Sequence, residues 1–210
     1  PVFTLLYGGT AFDLASITSF QWWRSYDRTD LDATAADMIR RMNREDQSAW
    51  IEEIRISSAA DSPVKLCERC TLRWLAGVFA FDSAYTQRAH NDYRADAVSM
   101  LGLPLAYRQY DDSDLGSSGV SLFGQATITL YERVEIGLGL RHDRERRSAN
   151  IRGYSDPALT PPSETAVAED FDQTSPRASI ACHLSPNALA YVEAAMGYKA
   201  GGFNTQSLPG

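Results

Sequence analysis

Val134-Glu135-Ile136-Gly137-Leu138-Gly139-Leu140-Arg141-His142-Asp143 decides how the rest of the chain is read. Val134, Ile136, Leu138 and Leu140 fall on one side of an extended backbone, and Glu135, Gly137, Gly139, Arg141 and Asp143 on the other. Side chains alternate with a period of two along a strand, so this pattern describes a strand between two different environments. One environment receives only aliphatic side chains; the other tolerates charge.

The neighbouring segments repeat the pattern. Upstream, Val120, Leu122, Ala126, Ile128 and Leu130 alternate with Ser121, Phe123, Gln125, Thr127 and Thr129. The short Tyr131-Glu132-Arg133 between these runs predicts a tight antiparallel hairpin. Downstream, Ala178, Ile180, Cys182 and Leu184 alternate with Ser179, Ala181 and His183, followed by turn chemistry in Ser185-Pro186-Asn187. Ala190, Val192, Ala194, Met196 and Tyr198 then alternate with Tyr191, Glu193, Ala195, Gly197 and Lys199. Glu193 in mid-strand is costly facing lipid and cheap facing a wet lumen. Residues 49–57 and 71–82 form another predicted pair, and 2–7 with 14–26 a hairpin around Gly8-Gly9-Thr10. The total is about eight strands, each close to the length needed to cross a bilayer at a tilt.

The connections are asymmetric. Those on one side are short; on the other they are expected at 27–46, 83–119 and 144–174. A compact soluble domain seldom carries several structureless loops of such length, whereas outer-membrane barrels combine short periplasmic turns with long extracellular loops. In the first long connection, Asp32 or Thr34 could cap a short helix with Ala35, Met38, Ile39 and Met42 on one face. Aromatic residues cluster near the predicted strand ends: Trp22, Trp23 and Tyr26, then Trp50, Phe79 and Phe81, then Tyr131 and Tyr198. Interfacial girdles and the core of a soluble sandwich both account for that placement; the loop asymmetry favours the girdle.

Composition excludes several functions. The 210 residues are 44% hydrophobic and 22% charged, and no run approaches the roughly 18 apolar residues of a membrane helix. A formal net charge of −7 and the interleaving of each arginine group with acids argue against nucleic acid as a partner. His90, His142 and His183 stand far apart, no serine or cysteine carries a triad-like signature, and Gly201-Gly202 is not followed by a helical pattern. An enzyme is therefore not expected, nor a cofactor. Cys67-Glu68-Arg69-Cys70 lacks the second pair a zinc site needs and the helix a thioredoxin-like site needs. A turn disulfide or two inert thiols are the favoured readings, with redox or metal chemistry the minor alternative, and Cys182 is alone. No signal peptide precedes Pro1, and both chain ends read as cuts through a longer protein.

Particular words add to the pattern. Tyr198-Lys199-Ala200-Gly201-Gly202-Phe203-Asn204 resembles the G-Y-K-x-G-G-F-N segment of TonB-dependent receptor barrels, siderophore receptors among them. Ser175-Pro176-Arg177-Ala178-Ser179 is similar to the S-P-R-x-S that opens the preceding hairpin in that family. Leu122-Phe123-Gly124-Gln125-Ala126, Gly139-Leu140-Arg141-His142-Asp143-Arg144-Glu145, Glu53-Ile54-Arg55-Ile56-Ser57-Ser58 and Arg73-Trp74-Leu75-Ala76-Gly77-Val78-Phe79 follow the family order. Cys67–Cys70 departs from the usual plainer turn, and Met196 stands where an arginine is common.

The resemblance implies an all-β, antiparallel up-and-down transmembrane barrel of about 22 strands, of which residues 1–210 would be a part. The N-terminal plug domain and the C-terminal strands would lie outside them. It also implies outer-membrane lipid as the surroundings, TonB as a partner acting through the plug, and a scarce ligand such as a ferric siderophore as cargo. Tyr93, Arg94, Tyr107, Arg108 and Tyr110 in the second long connection suit an anionic ferric complex, with rings to stack and guanidinium charge. A passive porin-like channel and a soluble all-β binding module are the rival readings, and a complete eight-stranded barrel, disfavoured because the family words belong to a larger one, is a third.

Overall fold

The computed structural model describes residues 1–59 and 61–204. Its strands are β1 (Val2–Gly8), β2 (Phe12–Asp30), β3 (Ile39–Ser58), β4 (Val64–Cys67), β5 (Cys70–Tyr93), β6 (Tyr107–Leu130), β7 (Val134–Asp156), β8 (Ser163–Ser185) and β9 (Ala188–Ala195). One short helix, α1 (Ala95–Leu101), lies between β5 and β6 and ends at Gly102, whose φ of 68° is the left-handed conformation glycine accepts without strain. The strands form one antiparallel sheet in the order β1-β2-β3-β5-β6-β7-β8-β9, with β4 paired to β5 off this path. Every expected hairpin is present, and each strand on the path pairs with its chain neighbour.

The alternation that predicted the strands sets their two faces. On β6 and β7 the even-numbered side chains share one face: Leu122 is 59% exposed, Leu138 62% and Leu140 55%. Val78 of β5, Ile180 of β8 and Val192 of β9 continue this apolar face across the sheet through the pairs Val78↔Leu122, Ile136↔Ile180 and Ile180↔Val192. On β6 the apolar band runs from Val120 to Leu130, about 25 Å in height at the usual strand tilt. The opposite, polar face is the crowded one. Ser113, Ser121, Gln87, Asp143, Ala89 and Ala149 are all buried there, as expected on the inside of a curved sheet.

The long connections differ from expectation. Strands β2, β3, β5, β6, β7 and β8 have 19 to 24 residues each, so most of 27–46, 83–119 and 144–174 is strand. Only 31–38, 94–106 and 157–162 remain as connections. Beyond the apolar band both faces carry polar and charged side chains, so the hydrophobic period disappears while the backbone ladder goes on. The β5–β6 register runs unbroken from Cys70↔Leu130 to Tyr93↔Tyr107. No helix forms at 34–42: the Asp32 carboxylate accepts bonds from the amides of Thr34 (3.0 Å) and Ile39 (2.9 Å), folding 31–38 into a turn that delivers Ile39 straight into β3.

At the other end the turns are tight and joined to one another. In the three-residue loop between β6 and β7, Tyr131 and Glu132 adopt φ of 52° and 56°, the hand that matches strand twist, and the Arg133 amide donates to the Leu130 carbonyl at 3.0 Å. The Tyr131 amide bonds the Arg69 carbonyl at 2.8 Å, and the Arg69 guanidinium lies 5.6 Å from the Tyr131 ring centre. Cys67 and Cys70 form a disulfide across the β4–β5 turn, with Cα atoms 4.8 Å apart; Cys182 is free. The aromatic residues divide between the faces. Trp22, Tyr26 and Trp50 belong to the exposed apolar side, while Trp23, Phe79 and Phe81 point to the polar side.

Candidate functional site

The polar face carries a connected lattice of charge and hydrogen bonds. At the level of the apolar band, the buried Asp143 accepts from Ser121 Oγ (2.5 Å) and Arg141 Nε (2.8 Å), and a second Arg141 nitrogen reaches Ser121 Oγ at 2.8 Å. The Arg141 guanidinium also lies 5.5 Å from the Phe79 ring centre and 5.9 Å from that of Phe123. Arg55–Glu53 (2.9 Å), Arg177–Glu193 (2.6 Å) and His183–Glu135 (3.1 Å) line the same face. Glu193 therefore sits on the polar face, with Arg177 as its partner.

Above the band the same face continues as a wall of amides, acids and rings. Trp23 Nε1 donates to Gln47 Oε1 at 2.9 Å, and its ring lies 6.3 Å from that of Tyr85. Asn43 donates to Glu45 (2.7 Å), and the Gln87 amide donates to Asn43 (2.9 Å). Arg41 donates to Asn91 (3.2 Å) and lies 3.9 Å from Asp111. The wall ends in an open cleft of about 540 Å³ lined by Asp92, Tyr93, Arg94, Ala95, Ala106, Tyr107, Arg108 and Asp156.

Four of the five residues expected to touch a ligand line that cleft, but not from one side. Tyr93 and Tyr107 face the polar side and stack in parallel, 4.5 Å apart and 8° from coplanar. Arg108 and Tyr110 lie on the opposite face: Arg108 bonds Asp92 (2.5 Å) and the Tyr110 hydroxyl (3.3 Å), and Tyr110 stacks on Tyr154 at 4.6 Å. Arg94, just past β5, is held by Asp37 at 2.6 Å. Gln47, Glu45, Tyr85, Arg41 and Asp111 were not expected from sequence to face a ligand, and Trp23 was read only as a strand-end aromatic. Carrying the odd-numbered parity of the polar face upward from Arg141, strand by strand, would have found them.

The segment 196–204 leaves the edge of β9 and crosses the polar face. The Met196 amide still bonds the Pro176 carbonyl (3.0 Å), but Gly201 then packs on the Phe171 ring, where a Cβ would come within 2.8 Å. Gly202 lies beside Arg147, and Ala200 is buried. Of the family motif, Gly201 and Gly202 thus lie against β8 and β7 on the polar face, and Tyr198, Lys199, Phe203 and Asn204 belong to the same segment, which leaves the ladder after Ala195. Gly201, having no side chain, makes the close approach to Phe171 sterically feasible.

A family model described as "TonB dependent receptor-like, beta-barrel" matches residues 3–210. The chain belongs to that family. Among solved structures, it resembles the ferric yersiniabactin uptake receptor FyuA from Yersinia pestis, with a TM-score of 0.81 at 15% identity. The match covers 100% of this chain and 29% of FyuA, so the chain spans under a third of that receptor's length. At this identity the likeness concerns the fold. The apolar and polar faces of this family's sheet are then the outer and luminal walls of a barrel of the outer-membrane type.

Proposed function

We propose that residues 1–210 form part of the wall of an outer-membrane receptor that takes up a scarce ligand, a ferric siderophore first among candidates, with energy relayed by TonB. The observation that carries this reading is the face separation. One apolar band is continuous over β5 to β9, and the opposite face holds paired charges from the short turns to the cleft. Such a wall belongs between lipid and a wet lumen, and in this family the lumen holds a plug. The plug that would contact TonB and the strands that would close the barrel are assigned to other parts of the polypeptide. No catalytic role is proposed.

In this reading the cleft and the wall below it form part of the outer vestibule, with the Tyr93–Tyr107 stack at its rim. Arg108 and Tyr110 face away from the lumen and are assigned to the outer surface of the strand extensions. The test is iron uptake by cells carrying the full-length gene or its deletion, each with and without functional TonB. Uptake of a ferric siderophore that requires both the gene and TonB is the expected result. Uptake that persists without TonB supports a passive channel, and a chain that partitions into the soluble fraction supports a binding module.

A further inference from the structure

We infer that this vestibule takes a ferric complex of neutral or positive overall charge, of the hydroxamate class, and discriminates against polyanionic catecholates. The inference rests on the uptake reading and narrows its ligand. On the polar face above the apolar band stand the carboxylates of Asp27, Glu45, Asp111, Glu145 and Glu169. Against them are the guanidiniums of Arg41 and Arg147 and, on the segment that crosses this face, the ammonium of Lys199, three cations to five carboxylates. The two guanidiniums are committed within the wall, Arg41 to Asn91 and Asp111 and Arg147 to Glu145 at 3.0 Å. At the end of the wall Arg94 is engaged by Asp37.

Recognition of an anion uses guanidinium charge that is not already neutralised, and a concave surface lined by one sign of charge repels ligands of that sign. This wall presents excess negative charge. What it offers a ligand instead are the side-chain amides of Asn43, Gln47 and Asn91 and the rings of Trp23 and Tyr93. Three hydroxamates each bring one negative charge and neutralise ferric iron; three catecholates bring two each and leave a trianion. The neutral complex meets amides and ring faces at little electrostatic cost.

The test titrates the full-length receptor in detergent, by tryptophan fluorescence, with a neutral ferric trihydroxamate and a trianionic ferric tricatecholate. The expected result is at least about tenfold tighter binding of the neutral complex at low salt, a gap that shrinks as salt screens the repulsion. The double variant Glu45→Gln/Asp111→Asn should also narrow it. Should that variant not fold, the salt series on the unaltered receptor carries the test alone. Equal or tighter binding of the tricatecholate overturns the charge inference and leaves the uptake reading standing; binding of neither complex sinks both.

Discussion

Phe123 lies across Gly77 of the next strand, and Phe81 across Gly119, so two cross-strand pairs on the luminal face each place a ring over a residue without a side chain. A Cβ on Gly77 would come within 2.5 Å of the Phe123 ring and 2.8 Å of the Ile54 carbonyl oxygen. Gly77→Val therefore has to displace both a ring and a backbone. It should destabilise the full-length barrel by about 1–3 kcal/mol, read from denaturant unfolding, whereas Gly197→Ala, with open space around it, should be close to neutral. The Asp32 carboxyl makes a different residue-scale prediction. The Thr34 hydroxyl bond at 2.6 Å, followed by the Ile39 amide, holds it at about 2. A carboxyl depressed in the folded state stabilises above its unfolded value near 3.8 and loses that contribution as pH falls toward 2. Hydrogen-exchange protection of the Ile39 amide should hold from neutrality to about pH 4 and fall below it; Asp32→Ala should lose that protection at neutral pH. Protection that is flat to pH 2 would mean the turn does not depend on this carboxylate.

At the scale of the strand, the alternation makes opposite demands on adjacent residues. Leu138→Arg puts a guanidinium on the lipid side and should cost about 2–4 kcal/mol near the middle of the membrane. Thr127→Lys, on the luminal side near Gly137, should cost much less. Unfolding of the two variants in lipid vesicles checks the pair, and equal costs would contradict the assignment of faces. The same physics explains what sequence could reveal. From 120 to 143 lipid on one side enforces a strict period, so β6, β7 and their hairpin were legible, as were the lower halves of β2, β3, β5 and β8. Past Asp82, Ser118 and Arg144 both faces are wet. Runs such as Asp111-Asp112-Ser113-Asp114 have no period and read as loop, although their amides pair in register with 86–89 and 150–153. The expected ligand residues were chosen inside this aperiodic stretch by residue type alone. That is why Tyr93 and Tyr107 came out on the luminal face and Arg108 and Tyr110 on the other.

The sheet as a whole has two unpaired edges among the described residues, β1 and β9, which are not bonded to each other. In lipid each unpaired backbone group costs several kcal/mol, so a sheet of this kind is stable only when closed. The receptor reading proposed above closes it with strands other than the described ones. Their band of apolar side chains faces outward from a wall whose luminal side is already crowded, with Asp143 and Ser121 buried at band level, and FyuA uses an arc of this kind for only 29% of its chain. Residues 1–210 expressed alone and refolded in detergent should therefore fail the test that closed barrels pass. They should migrate in an unheated SDS gel as they do after boiling, with edge-to-edge association visible by light scattering. A longer polypeptide that supplies the remaining strands should migrate faster before heating than after. Heat-modifiable migration of 1–210 by itself, as a monomer, would show that this arc closes into a small barrel of its own, and the vestibule would then have to be rebuilt around a much narrower lumen.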